Sequence, residues 1–132
     1  MQGLQDFNKA ISIRPDAAPA YLNRALLHQL QNQHPLAIDD FATAIGLTQN
    51  QAEPFGDRGL SYLPVGDLKA AARDFDNAIE IEPQDIKAWA SRGFAYERLA
   101  QLYQLARLNG DFCGLLAGKC ESNQWGAMTK RL

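Results

Sequence analysis

Three arginines, Arg24, Arg58 and Arg92, stand at equal intervals in this chain, and two of them are followed sixteen residues later by an aspartate, Asp40 and Asp74. Guanidinium and carboxylate groups at that spacing can do one of two things. Left facing outward, the arginines would make an anion site. Brought together across two helices, each Arg and Asp would form a partly buried ion pair that fixes helix register, because breaking such a pair strands a charge. The ion pair is the expected state for Arg24 with Asp40 and for Arg58 with Asp74. Arg92 lacks an in-register Asp and is therefore the arginine expected to be open to a ligand.

Other residues capable of chemistry are few. His28 and His34 are the two histidines, and no Cys or carboxylate lies at ligand spacing from them, so no metal site is expected. Cys113 and Cys120 are seven residues apart and could share a helix face. Free thiols are the plain reading; a redox pair would need a thiolate-stabilising environment that the sequence does not show. No nucleophile elbow, phosphate loop, dinucleotide fingerprint or H-E-x-x-H pair occurs. Asp39-Asp40 and Glu80 with Glu82 read as solvated faces rather than as an acid and a base. The chain is accordingly read as non-enzymatic and without a cofactor.

The arginines recur because the whole chain does. Asp6-Phe7, Asp40-Phe41 and Asp74-Phe75 are separated by 34 residues, and so are Tyr21, Phe55 and Trp89. Around each arginine the order is an aromatic, Arg, a small residue and a ring: Tyr21-Arg24-Ala25-His28, Phe55-Arg58-Gly59-Tyr62 and Trp89-Arg92-Gly93-Tyr96. Steps of three, one and three place these side chains on one face of a helix. A second set follows, Ala37-Phe41-Ala44 and then Ala71-Phe75-Ala78 with Pro83. Glycine in a helix interior costs about 1 kcal/mol relative to Ala, so close approach of a second helix is expected at both Gly59 and Gly93.

This pattern resembles the tetratricopeptide repeat, W-x2-L-G-x2-Y, then A-x3-F, then P, over 34 residues. The likeness covers about residues 1 to 99. Arg stands where the pattern has Leu, His28 replaces Tyr, Gln49 replaces the closing Pro and Gly3 replaces a packing Ala. The resemblance, to a bacterial-type protein of that family, implies an all-α fold: a right-handed superhelical solenoid of antiparallel helix pairs.

Five segments are expected. Residues 1–17 carry the second helix of an incomplete first repeat, and 18–51 and 52–85 are complete units. Residues 86–118 form a degenerate unit or capping helices, and 119–132 a tail. Within them helices are expected at 1–13, 18–31, 35–47, 52–63, 68–81 and 86–99. Asn32-Gln33-His34 should form a turn, and Pro64 should stop its helix at Leu63. Asp67 and Asp85 are expected to cap the helices that follow them. After Leu99 the register fails; an insertion near Ala100-Gln101-Leu102 would restore Asp111-Phe112 to it, with a further helix over 102–118.

The resemblance further implies that the first helix of each unit lines a concave surface that binds peptides. The corresponding residues are Leu22, Asn23, Leu26, Asp57, Leu60, Leu63, Lys87, Ser91 and Phe94, of which Leu26, Leu60 and Phe94 make an apolar column. Pro19, Gln29, Glu53, Gly56, Ala90 and Glu97 occupy neighbouring groove positions. Some family members clamp a partner's terminal carboxylate with basic and Asn side chains. Asn23 and Lys87 are present here, but Leu22, Asp57 and Ser91 hold the other clamp positions, and Asp57 would repel a carboxylate. The expected ligand is therefore a protein or peptide with apolar anchors and some positive charge, docked as a helix or an extended chain. The alternative is a self-assembling unit whose ends are covered by another copy, through homo-oligomerisation or helix exchange, or by its own Leu115, Leu116, Trp125 and Met128.

Composition agrees with a binding domain and excludes some partners. The 132 residues are 46% hydrophobic and 21% charged, enough for one domain with a core. A net charge of -2 and a pI near 5.6 argue against nucleic acid. No apolar run is long enough to span a membrane, and Met1-Gln2-Gly3 opens no secretory signal. The compartment is left open, cytoplasmic by default.

Overall fold

The computed structural model describes residues 2–109, which form six α-helices and no strand. They are α1 (Gln2–Ile13), α2 (Ala18–Leu30), α3 (His34–Thr48), α4 (Ala52–Val65), α5 (Leu68–Ile81) and α6 (Ile86–Asn109). Two compact units divide the chain, Met1–Ala95 and Tyr96–Leu132. Cys113, Cys120, the Asp111-Phe112 pair and the rest of the tail lie outside the described residues.

In the first unit consecutive helices pack on one another, α2 on α3 and α4 on α5, with α1 against α2 and α3 against α4. Three clusters make its core, and each is built from the recurring small and aromatic residues. Ala25, Ala37 and Phe41 form one; Ala71, Ala72, Phe75 and Ala95 form the next; Ala52, Ala78, Ile79 and Ala88 form the third. Phe41 and Phe75 are the largest fully buried side chains. Burying an aromatic of that size contributes about 2–3 kcal/mol, and small partners let the helices approach it.

The small-residue rule holds at one glycine and fails at the other. A Cβ on Gly59 would lie 2.6 Å from Cε1 of Phe75, so glycine is required there by close approach. Gly93 has nothing within 4 Å of the same position and is exposed. The close approach expected at Gly93 is absent among the described residues.

Helix ends follow local chemistry. Asp67 accepts from the Ala70 N–H at 3.2 Å, and Asp85 accepts from Lys87 and Ala88 N–H groups at 3.1 and 3.4 Å. Gly66 closes α4 in the left-handed conformation, φ +93°. Pro64 does not stop that helix at Leu63, which runs on to Val65. In a last turn the missing N–H removes one bond only, and Gly66 N–H still reaches Tyr62 and Leu63 carbonyls at 3.0 and 3.1 Å. His34 belongs to the start of α3 rather than to the turn.

The larger departure is α6, a continuous 24-residue helix with no break near residue 100. Ala100 and Gln101 stand where the preceding repeat has its turn, Gly66-Asp67. From Ala95 to Leu108 there is neither Gly nor Pro, and strong helix formers predominate, so nothing interrupts the hydrogen-bond ladder. Within the second unit the described residues, 96–109, are all in this helix, with Ala106 buried.

Candidate binding cleft

The arginines are settled first. Arg58 Nε and Nη2 donate to the two carboxylate oxygens of Asp74 at 2.8 and 2.7 Å, joining α4 to α5. Arg24 makes the same fork on Asp40, 2.7 Å for both bonds, and its Nη1 also donates to Asn8 Oδ1 at 2.8 Å. The pairs are structural register pins. Asp74 is almost wholly enclosed, and burial pushes its carboxyl up while the Arg58 hydrogen bond pulls it down. Its partner guanidinium is held above the usual arginine range by that same bond.

Arg92 is not open. Its Nη1 donates to Asp76 Oδ1 at 2.7 Å, a residue sixteen positions before it, as Asn8 precedes Arg24. Searching sixteen residues upstream as well as downstream would have found both contacts. Each arginine also lies over the preceding aromatic, 5.7 Å from Tyr21, 5.9 Å from Phe55 and 4.5 Å from Trp89.

His28 is buried, with Nδ1 3.0 Å from Gln33 Oε1 and Nε2 3.8 Å from Asp40. Among the described residues no three His, Cys, Asp or Glu side chains are grouped to hold a metal, and no helix is long and apolar enough to cross a membrane.

An open cleft of about 1120 Å³ lies between α4 and the first turns of α6, floored by the 82–85 linker. Asp57, Leu60, Lys87 and Ser91 line it, together with Glu53 and Gly56. All six were among the expected groove residues and neighbours, and they meet because Asp85 caps α6 and starts it beside α4. Leu22, Asn23, Leu26, Leu63 and Phe94 do not line the cleft. Leu22 and Leu26 rest partly on the Phe41 cluster and Leu63 on the Phe75 cluster, while Asn23 and Phe94 are exposed on α2 and α6. Gln29 is engaged otherwise: its amide donates to the Asp57 carbonyl at 3.0 Å and to buried Ser61 Oγ at 2.8 Å, tying α2 to α4.

Glu82 and Asp85 are cleft residues that the helix pattern did not mark, because they sit in the linker. The Asp57 carboxyl is pushed up to about 6, chiefly by burial and then by the Glu53 and Asp85 charges, with Lys87 pulling the other way. Four carboxylates therefore face one lysine around an opening that also exposes Leu60. That arrangement favours a cation carried beside an apolar group.

Residues 52–85 match the tetratricopeptide repeat family. No curated protein sequence matches the chain. Among solved structures, the first TPR of Spaghetti (RPAP3) bound to HSP90 peptide SRMEEVD is similar with a TM-score of 0.72 and 21% identity, over 74% of this chain and 77% of that one. The first TPR domain of human RPAP3 gives 0.72 at 20% identity, over 76% and 80%. MamA gives 0.70 at 21% identity, over 97% of this chain and 67% of its own. At these identities the likeness is one of fold.

Proposed function

We infer that this chain, whose residues 52–85 are a tetratricopeptide repeat and whose described helices have the fold of such proteins, is a non-catalytic interaction scaffold. Repeats of this kind mediate contacts between proteins, and the unit read at 18–51 and the first turns of α6 extend the same surface. The ligand is a peptide or helix that places an apolar anchor on Leu60 and a Lys or Arg side chain among Glu53, Asp57, Glu82 and Asp85. The cleft lining is the observation that carries this reading. Leu22, Asn23, Leu26, Leu63 and Phe94 serve as flanking contacts along α2, α4 and α6.

The HSP90 peptide held by the RPAP3 domain ends in acidic residues, and a ligand of that kind would meet like charge at Asp57. A peptide array separates the two. Enrichment of Lys or Arg beside apolar residues, abolished by Leu60→Lys and by Asp57→Lys, is the expected result. Preferential capture of SRMEEVD and similar acidic C-termini overturns it. The alternative function, a self-assembling structural unit, is favoured by one observation, the exposure of Gly93 on α6.

A further inference from the structure

Because the helix pairs repeat, equivalent contacts at successive junctions can be compared. Gln29 on α2 reaches across to α4, where its amide donates to the Asp57 carbonyl at 3.0 Å and to Ser61 Oγ at 2.8 Å. One repeat later the corresponding residues are Leu63 and Ala95, which belong with Phe75 to one apolar cluster. Neither carries a polar side-chain atom, so the same fold accepts an apolar pair at this place.

The polar pair is therefore not what packing requires. Ser61 is wholly buried and Gln29 half-buried, and enclosing a hydroxyl and an amide costs free energy that is recovered only through the bonds they make. Leu and Ala would fill the space without that cost. What distinguishes α4 at this point is Asp57: the residue whose carbonyl Gln29 holds is the one whose carboxyl lines the cleft. At the apolar junction the counterpart of Asp57 is Ser91, which has no charge to be placed.

We propose that Gln29 is the positioning residue of the cleft: by holding the Asp57–Ser61 turn of α4 against α2, it seats the Asp57 carboxyl in the cleft wall, shielded from water, where it meets the cation of a ligand. The proposal rests on the cation reading of the cleft for its ligand alone. The groups that face Asp57 are Glu53 on its own helix, Glu82 and Asp85 on the linker and Lys87 on α6; α5 presents Phe75 there and α2 the uncharged Gln29. Burial is the largest influence on the carboxyl and holds it at about 6. Loosening the turn admits water, and the carboxyl falls toward 3.8. The wild-type cleft thus loses this charge as pH drops through 6, whereas a cleft without the clasp keeps more of it at pH 5. Gln29 sets the pH range over which the site is charged.

The test uses the full chain. Gln29→Leu together with Ser61→Ala rebuilds the apolar pair of the next junction, and Gln29→Met separately keeps the length of the side chain while removing its donor. The double variant should melt no lower than the wild type. Carbon-detected NMR titration without any ligand should place the Asp57 midpoint near 6 in the wild type and lower by about one unit in both variants. An acetylated, amidated Leu-Arg-Leu peptide should bind the wild type about tenfold more tightly at pH 7 than at pH 5, and the variants within about threefold. A double variant that melts well below the wild type would show that packing does require the polar pair, and that result overturns the proposal. So does a wild-type midpoint near 4, or a midpoint that neither variant moves. Shifted midpoints with no peptide binding would remove the cation reading and leave this one standing; peptide binding with matched midpoints has the opposite meaning.

Discussion

Arg58 and Asp74, sixteen residues apart, share two hydrogen bonds of 2.8 and 2.7 Å, with the carboxylate side chain 3% exposed and the guanidinium 20% exposed. The pair acts as a register pin between α4 and α5. Arg58→Met should destabilise the fold by about 3 kcal/mol, because it leaves Asp74 enclosed without its fork. Arg58→Met with Asp74→Leu should recover most of that loss, as the stranded charge is gone. Urea denaturation of the two singles and the double measures the coupling; simple addition of the single losses would show that the bond is not the source.

Gly59 is held to glycine by Phe75. Gly59→Ala brings a methyl group to 2.6 Å of the ring, which is rigid and 1% exposed and has no room to retreat. Overpacking of this kind costs about 1–3 kcal/mol, against about 1 kcal/mol gained in helix propensity. A lower thermal midpoint is expected. At exposed Gly93 the same substitution should raise it, so the two alanines should move in opposite directions.

The loop between α3 and α4 replaces the closing Pro with Gln49 and turns through two positive angles, φ 43° at Gln49 and φ 61° at Asn50. Asn tolerates that region and Gln does so at a cost. Gln49→Gly should stabilise the chain by about 1 kcal/mol, read as a shift in urea midpoint at constant slope. Asn50→Gly should change it less.

Asp57 gives a pH dependence of definite sign. Its folded pKa of about 6 lies above its ordinary value of 3.8, so the folded chain holds the proton more tightly than the unfolded one. Its contribution to stability is thus fully present below about pH 4 and lost as pH rises toward 6. Asp57→Asn should remove that decline and be more stable than wild type at pH 7. Binding of a basic peptide should run the opposite way, tightening as pH rises through 6 when the carboxylate forms. Calorimetric titration at pH 5 and pH 7 checks it, and equal affinities would exclude Asp57 from the contact.

Much of this was legible in the residues alone. The 34-residue step, the small and aromatic faces, the Asp67 and Asp85 caps and the Arg–Asp pairs are all one-dimensional signals, because a helix converts sequence spacing into a shared face. The family resemblance, rather than spacing, put Asp57, Leu60, Lys87 and Ser91 among the expected groove residues, and these four line one cleft.

What spacing could not decide was set by three-dimensional approach. Arg92 finds Asp76 on the preceding helix, a contact that a one-way search misses since a first helix touches the second helices on both its sides. Glu82 and Asp85 enter the cleft from a linker that has no periodicity to read. Gly59 and Gly93 are alike in sequence, and only packing separates them: one lies under a phenylalanine ring, and the other has no neighbour within 4 Å of its Cβ position. The sequence by itself determined the repeat and its pairing faces, through local helical geometry. The tertiary structure decided which faces are filled, since burial depends on where the next helix goes.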